Sequence, residues 1–220
     1  MPREPLVLGF DTSAAHCAAA LLCGERVLAR AEEEMGRGQA ERLMPMLEEL
    51  LARAGHGWSD LDAIGVGIGP GNFTGIRIAV SAARGLALSL GIPAVGVSSF
   101  EALAEGRDGP VLAIVAAPRG MTYMQRRDGA ATTDPELVEG PEVPPAMRAP
   151  GLTCIGAQAD EVAQSLGATA AAPVHPLGVA IARVAMARRN DPPARPAPLY
   201  LRAADAAPAA DLPPVILDDA

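Results

Sequence analysis

The 220-residue sequence predicts an α/β protein in two lobes, with mixed sheets flanked by helices. Three observations predict it. The chain opens with apolar extended runs joined by a glycine turn, so its first sheet begins with antiparallel strands rather than a βαβ unit. Strand-like runs then alternate with helical patterns. The composition breaks at residues 106–110, and a second set of strands and helices follows, which divides the chain into an N-terminal lobe of 1–105 and a smaller lobe of 106–220 with a Pro/Ala-rich tail.

In chain order, 6–11 is a short apolar run ending in Asp11-Thr12-Ser13. Residues 18–23 form a second run, Gly24-Glu25 turns the chain, and 26–31 is a third extended piece. Across 39–54, Leu43, Met46, Leu47, Leu50, Leu51 and Ala54 recur at helical spacing, while Glu41, Arg42, Glu48, Glu49 and Arg53 take other faces. Pro45 belongs in the first turn of this helix or kinks it, and Gly55 ends it. A strand over 62–67 leads into a glycine-dense loop. Residues 76–90 read as a long helix, stopped by Gly91 and Pro93. After a strand at 92–97, Ser98 and Glu101 form a capping box that starts another helix.

In the second half, 111–117 and 122–127 are partner strands about a turn at Arg119-Gly120, and Asp128-Gly129 is a tight turn. The text to 150 is Pro-rich and irregular. A strand at 152–156 and helices at 159–166 and 177–189 follow. The last thirty residues are rich in Pro and Ala. Within them Pro198-Leu199-Tyr200-Leu201-Arg202 is the anchored piece, and the end is expected to be loosely held.

Half the residues are hydrophobic but aromatics are only 3%, so the core must be built from Ala, Val, Leu, Ile and Met, which lets backbones approach closely. The net charge of −8, with no run of five like charges, argues against a chain that grips nucleic acid by itself, since phosphate contacts need Lys and Arg. Cys17, Cys23 and Cys154 lack CxxC spacing and suggest neither a disulfide framework nor a zinc site. The N-terminus has no signal-peptide pattern. The apolar stretches read as shorter than the ~20 residues of a membrane helix. The expected address is the cytoplasm, with no membrane.

Two strings carry the chemistry: Asp11-Thr12-Ser13 after the first strand, and Gly69-Pro70-Gly71-Asn72-Phe73-Thr74-Gly75-Ile76-Arg77 between a strand and a helix. The glycines allow positive φ and close backbone approach. Thr74 is placed to cap the helix, free N–H groups at the helix start suit an anion, and Arg77 in the first turn suits a carboxylate or phosphate. Two readings stay open for the loop: a phosphate cradle, or a structural strand-to-helix turn lacking the Lys of a P-loop. Asp11 likewise orients a nucleotide's metal and phosphate, or bonds its own turn. His16 and Cys17 are neighbours in a strand and point to opposite faces, so they do not chelate one ion. His56 and His175 have no second ligand at i+4, and no metal site is expected. The stripe Leu43, Met46, Leu47, Leu50 is core, or core on one edge and contact surface on the other, a use that Met44 and Met46 suit.

These strings resemble the TsaB family, as do Glu41-Arg42-Leu43-Met44-Pro45-Met46 and the tail segment at 198–202. The resemblance covers 6–99 and returns at the tail, and the nine-residue glycine loop is its specific part. It implies a two-lobed actin-like ATPase fold (ribonuclease H-like), shared with actin, sugar kinases and Hsp70. It implies a subunit with no catalytic residues of its own in the machinery that places a threonylcarbamoyl group on tRNA adenosine. The partners implied are a TsaD-like catalytic subunit, which carries the metal, and a TsaE-like ATPase. Alone, such a chain pairs with itself, and it meets tRNA only through the complex. No intrinsic cofactor is implied, and any nucleotide sits at the joint with the partner. The implied pairing surface is the helices at 39–54 and 76–90, with Leu43, Met46, Leu47, Leu50, Ile76, Ala79, Val80, Ala83 and Leu86 as contacts.

Two features depart from the family pattern. Gln39 stands where a His is common. Ala116-Ala117-Pro118 stands where relatives often read Asp-Ala-Arg. The competing class of function is a small ATP-dependent kinase or ATPase built on Asp11 and the glycine loop. A metalloprotease is a third, weaker idea, since the sequence has no HExxH.

Overall fold

A computed structural model describes residues 3–192 and 194–201. The first half builds β1 (Leu6–Asp11), β2 (His16–Cys23), β3 (Arg26–Glu34), α1 (Gln39–Arg53), β4 (Ala63–Gly67), α2 (Phe73–Leu90), β5 (Ala94–Val97) and α3 (Ser99–Ala104). The second builds β6 (Val111–Ala116), β7 (Met121–Asp128), β8 (Ala131–Thr132), β9 (Glu136–Glu139), β10 (Thr153–Gly156), α4 (Ala159–Leu166), β11 (Thr169–Ala171) and α5 (Leu177–Arg188). Two mixed sheets result, ordered β3-β2-β1-β4-β5 and β11-β10-β6-β7-β8, with β9 also pairing β7. This is the expected two-lobed, actin-like arrangement.

The pleat of β1 explains the layering. Leu6, Leu8 and Phe10 point to one face, where α1 and α2 cover them together with Leu21, Ile64 and Val66. Val7 points to the other face, among Ala20, Leu22, Ala63 and the α5 residues Val179, Ile181 and Ala182. That second face is made of small side chains because α5 lies almost on the backbone. A Cβ on Gly9 would meet the backbone N of Ala182 at 2.5 Å, and one on Gly178 would meet the Ala19 carbonyl carbon at 2.7 Å. The Ala- and Gly-rich, aromatic-poor composition is thus a requirement of close helix-on-sheet packing.

Two helices pack across the division at residue 105. α5 belongs to the second half yet packs on β1, β2 and β4 of the first sheet. α3 belongs to the first half yet packs on β6, β7 and β10 of the second, with Phe100 fully buried there. Sequence position marks where a helix is made but not which sheet lacks a cover.

Other differences are local. Pro45 lies inside α1 on its exposed side, beyond the first turn. α2 begins at Phe73, three residues before its expected start. β9, with only Leu137 and Val138 between two glutamates, and the three-residue β11 fall in stretches too short to show a period. Among the described residues α2 is the one helix long and apolar enough, by composition, for a membrane span. Its Ile76, Ala79, Val80 and Ala83 are instead buried against the sheet. Arg202 and the chain end expected to be loose lie outside the described residues.

Candidate functional site

At the end of β1 the chain leaves the sheet with Asp11 buried, its side chain 2% exposed. Its Oδ1 accepts from the Ser13 amide at 2.7 Å, the Ser13 hydroxyl at 2.9 Å and His16 Nε2 at 2.9 Å. Asp11 therefore bonds its own turn, and His16 at the start of β2 closes the arrangement. A buried carboxylate with three donors is stable only while those donors stay.

The Asp11 carboxylate, hydrogen-bonded to the ring, holds the His16 imidazole above its ordinary range. Partial burial opposes this, and the Asp11 and Glu32 charges add to the rise. The folded state thus binds the His16 proton more tightly than the unfolded chain. The stability this adds is fully present below pH ~6.5 and is lost as pH rises through the raised value. Urea titrations from pH 6 to pH 9 are expected to show stability falling in the wild type, with a flatter profile in His16→Gln. Asp11→Ala is expected to cost about 3 kcal/mol at pH 7, because it strands buried donors. An unchanged slope in His16→Gln would show that this pair does not couple stability to pH.

The glycine loop is fastened to this turn. Asn72 N donates to Ser13 O at 2.6 Å, and Thr12 Oγ1 donates to Gly75 O at 2.7 Å. A Cβ on Gly71 would strike the Ser13 carbonyl, one on Gly75 the Thr12 carbonyl, and one on Gly67 the Asp11 carboxylate. Gly69 takes φ 92°, a left-handed conformation that favours glycine. From the opposite side Ser99 N donates to Gly69 O at 2.8 Å. Gly71 and Gly75 are needed because two backbones lie in contact, and Gly67 because the Asp11 carboxylate fills the space a side chain would take.

The cap of α2 is Asn72 and not Thr74. The Asn72 side chain accepts from Gly75 N at 2.9 Å, and Thr74 faces solvent. Asn72 holds extended dihedrals, whereas Thr74 already lies inside the first helical turn, where no residue can act as Ncap. Among the described residues Arg77 makes no ion pair with a carboxylate. Its guanidinium carbon lies 3.8 Å from the centroid of the Phe73 ring, and its Nε donates to Tyr200 Oη at 2.8 Å.

Between the sheets lies a cleft of about 450 Å³, with Ser13, His16 and Asn72 on one wall and Ile114, Ala117 and Gly156 on the other. Among the described residues that line it, His16 alone is ionisable. Ala116, Ala117 and Pro118 line its rim, so the departure from Asp-Ala-Arg leaves that wall uncharged. Gln39 donates to Met35 O at 3.1 Å and to Ala14 O at 3.4 Å, closing α1 against the turn before β2. Among the described residues no three His, Cys, Asp or Glu side chains converge as a metal site would require.

The stripe assigned to pairing is core. Leu43, Met46, Leu47, Leu50, Ile76, Ala79, Val80 and Ala83 are each at most 2% exposed and form one cluster beneath α1 and α2. Leu86 is the one member still partly exposed. The sheet needs a cover, and the most regular apolar stripe of each helix provides it. The outward faces instead carry Met44, 36% exposed, and Leu88, 85% exposed, among Glu41, Glu48, Ser81, Arg84 and Gly85.

The family model of TsaD, tRNA N6-adenosine threonylcarbamoyltransferase, matches residues 33–187. An uncharacterized protein of Mycobacterium tuberculosis is 35% identical over 212 residues, 93% of this chain and 95% of its own length. The tRNA threonylcarbamoyladenosine biosynthesis protein TsaB of Escherichia coli is 36% identical over 122 residues, 53% of this chain and 52% of that protein. YeaZ from Pseudomonas aeruginosa superimposes with a TM-score of 0.72 at 28% identity, covering 90% of this chain and 100% of the YeaZ chain. The chain belongs to the TsaB family.

In this TsaB-family chain the two signature strings are therefore one unit, joined by Thr12, Ser13, Asn72 and Gly75. His16, Gly67 and Tyr200 complete it. Register signals the first, since His16 opens the strand antiparallel to β1 two positions before Ala18, the residue opposite Asp11, and so on the same face as Ala18. Gly67 carries no local signal, because it meets Asp11 through the fold, while Tyr200 lies in the tail piece read as anchored, with no local sign of its partners Phe73 and Arg77.

Proposed function

We propose that this TsaB-family chain serves tRNA threonylcarbamoyladenosine biosynthesis as a subunit without catalytic residues of its own. It pairs with a TsaD-like transferase in the cytoplasm, is joined there by a TsaE-like ATPase, and meets tRNA only through the assembly. Alone it pairs with itself. It needs no intrinsic cofactor, and any nucleotide sits at the joint with the partner. One observation carries this reading. The Asp11 carboxylate and the glycine loop, the groups that would face a nucleotide, are each bonded to the Asp-Thr-Ser turn. The name of the Escherichia coli relative supplies the pathway.

Pairing uses the outward faces of α1 and α2 around Met44 and Leu88. Leu88→Glu is expected to weaken pairing at least about tenfold while the melting temperature stays at the wild-type value, since an exposed apolar anchor matters to binding and not to folding. Unchanged affinity in that variant would remove α2 from the surface.

The lack of activity is tested on the purified chain, assayed alone for ATP hydrolysis and for threonylcarbamoyl transfer, and then with the TsaD-like protein present. Transfer is expected only in the mixture. Hydrolysis by the pure chain that disappears in Asp11→Ala would overturn the proposal in favour of an ATPase.

A further inference from the structure

After α5 the chain crosses the molecule along a line that touches four separate elements. Pro196 is buried beside the outer edge of β5, where a Cβ on Gly96 would lie 3.5 Å from its own Cβ. Leu199 N then donates to Ile68 O at 2.8 Å, just past the end of β4. The Tyr200 ring stacks on Phe73 with centroids 4.7 Å apart, and its hydroxyl accepts from Arg77 in the first turns of α2. Leu199 and Leu201 pack into the cluster of Phe100, Ala113 and Tyr123 on the second sheet, beside Leu137 of β9.

The segment thus spans both lobes. The seam has a separate fastening at α3 and α5, where Glu101 pairs with Arg188 at 3.0 Å and Glu105 with Arg183 at 3.2 Å. A joint fixed at one place can hinge, and a joint fixed at two cannot. Among the described residues the tail contacts are also few: one backbone hydrogen bond, one side-chain hydrogen bond, a ring stack with Arg77 over the Tyr200 ring, the buried Pro196 and two half-buried leucines. Tyr200 remains 41% exposed. Segments held this lightly open well before the sheets do.

We infer that residues 196–201 are an interlobe latch: closed, they hold the second lobe against the first and seat the first turn of α2, and released, they free both together. The latch sits on the partner-facing helix without belonging to its outward face, so it governs the shape offered to a partner and not the contacts themselves.

Hydrogen exchange on the full chain tests this without any partner. In Tyr200→Ala, exchange is expected to rise about tenfold in three places at once: the tail, the Asn72–Ile76 turn and the β7 peptides at the seam. That factor matches the strength of one aromatic pair. The amides of β1 and β4 keep their wild-type protection. Tyr200→Phe retains the stack and loses the bond to Arg77, and it is expected to fall between wild type and alanine in all three places. Acceleration confined to the tail in both variants would overturn the inference and leave the segment a passive cover. If Tyr200→Ala does not fold, Tyr200→Phe decides by the same criterion.

Discussion

Gly9→Val is expected to yield no folded protein. Gly9 sits in the middle of β1, and the space its side chain would need is already held by main-chain atoms of α5. The backbone N and Cα of Ala182 and the carbonyl oxygen of Gly178 lie 2.5–2.8 Å from where a Cβ would stand. These atoms belong to a helix backbone, so no rotamer change relieves the collision. α5 must lift from the sheet, exposing Val7, Ala20, Leu22 and Ala63 together with its own Val179, Ile181 and Ala182. Losing that face costs upwards of about 5 kcal/mol, which is the size of a whole domain's stability. Circular dichroism and urea titration measure it. A variant that melts cooperatively within about 1 kcal/mol of wild type would show that α5 does not lie where the fold places it.

Leu47→Glu is the second change with a large expected effect. From the helical pattern alone it should cut pairing and leave the fold intact. In the fold Leu47 is 0% exposed beneath α1, which packs on β2, β3 and α2, and Ala83 on α2 is equally buried. A carboxylate there would sit among apolar side chains, so it must take up a proton or drag the helix off the sheet. The expected outcome is insoluble or unfolded protein, a loss of at least about 5 kcal/mol. Ala83→Glu shares it. A soluble, cooperatively melting Leu47→Glu chain would return the stripe to the surface and remove the distinction drawn between core and pairing face.

These two substitutions mark what the sequence makes legible. The strands and helices of the first half are readable because periodicity there is strong and punctuated by Gly24, Gly55 and Gly91, each at positive φ in the structure. The glycine string is readable as a turn in which two backbones approach. The residues that make the approach necessary, Thr12 and Ser13, lie some sixty positions away, and nothing local ties their string to the glycine loop. Periodicity assigns Leu43, Leu47 and Leu50 to one face of a helix but is silent on what covers that face. Met44, off the stripe, is the residue left outside. The exchange of α3 and α5 between lobes is equally silent, since a helix carries no sign of which sheet it will join. Thr74 reads as the cap because threonine suits that role, and Asn72 takes it because the helix starts three residues earlier.

Size-exclusion chromatography with light scattering, on the chain alone and then mixed with the TsaD-like protein of the same organism, tests the pairing role most directly. The account predicts a homodimer that converts to a one-to-one heterodimer, with Leu88→Glu impaired in both. A monomer that elutes unchanged beside the TsaD-like protein would contradict it.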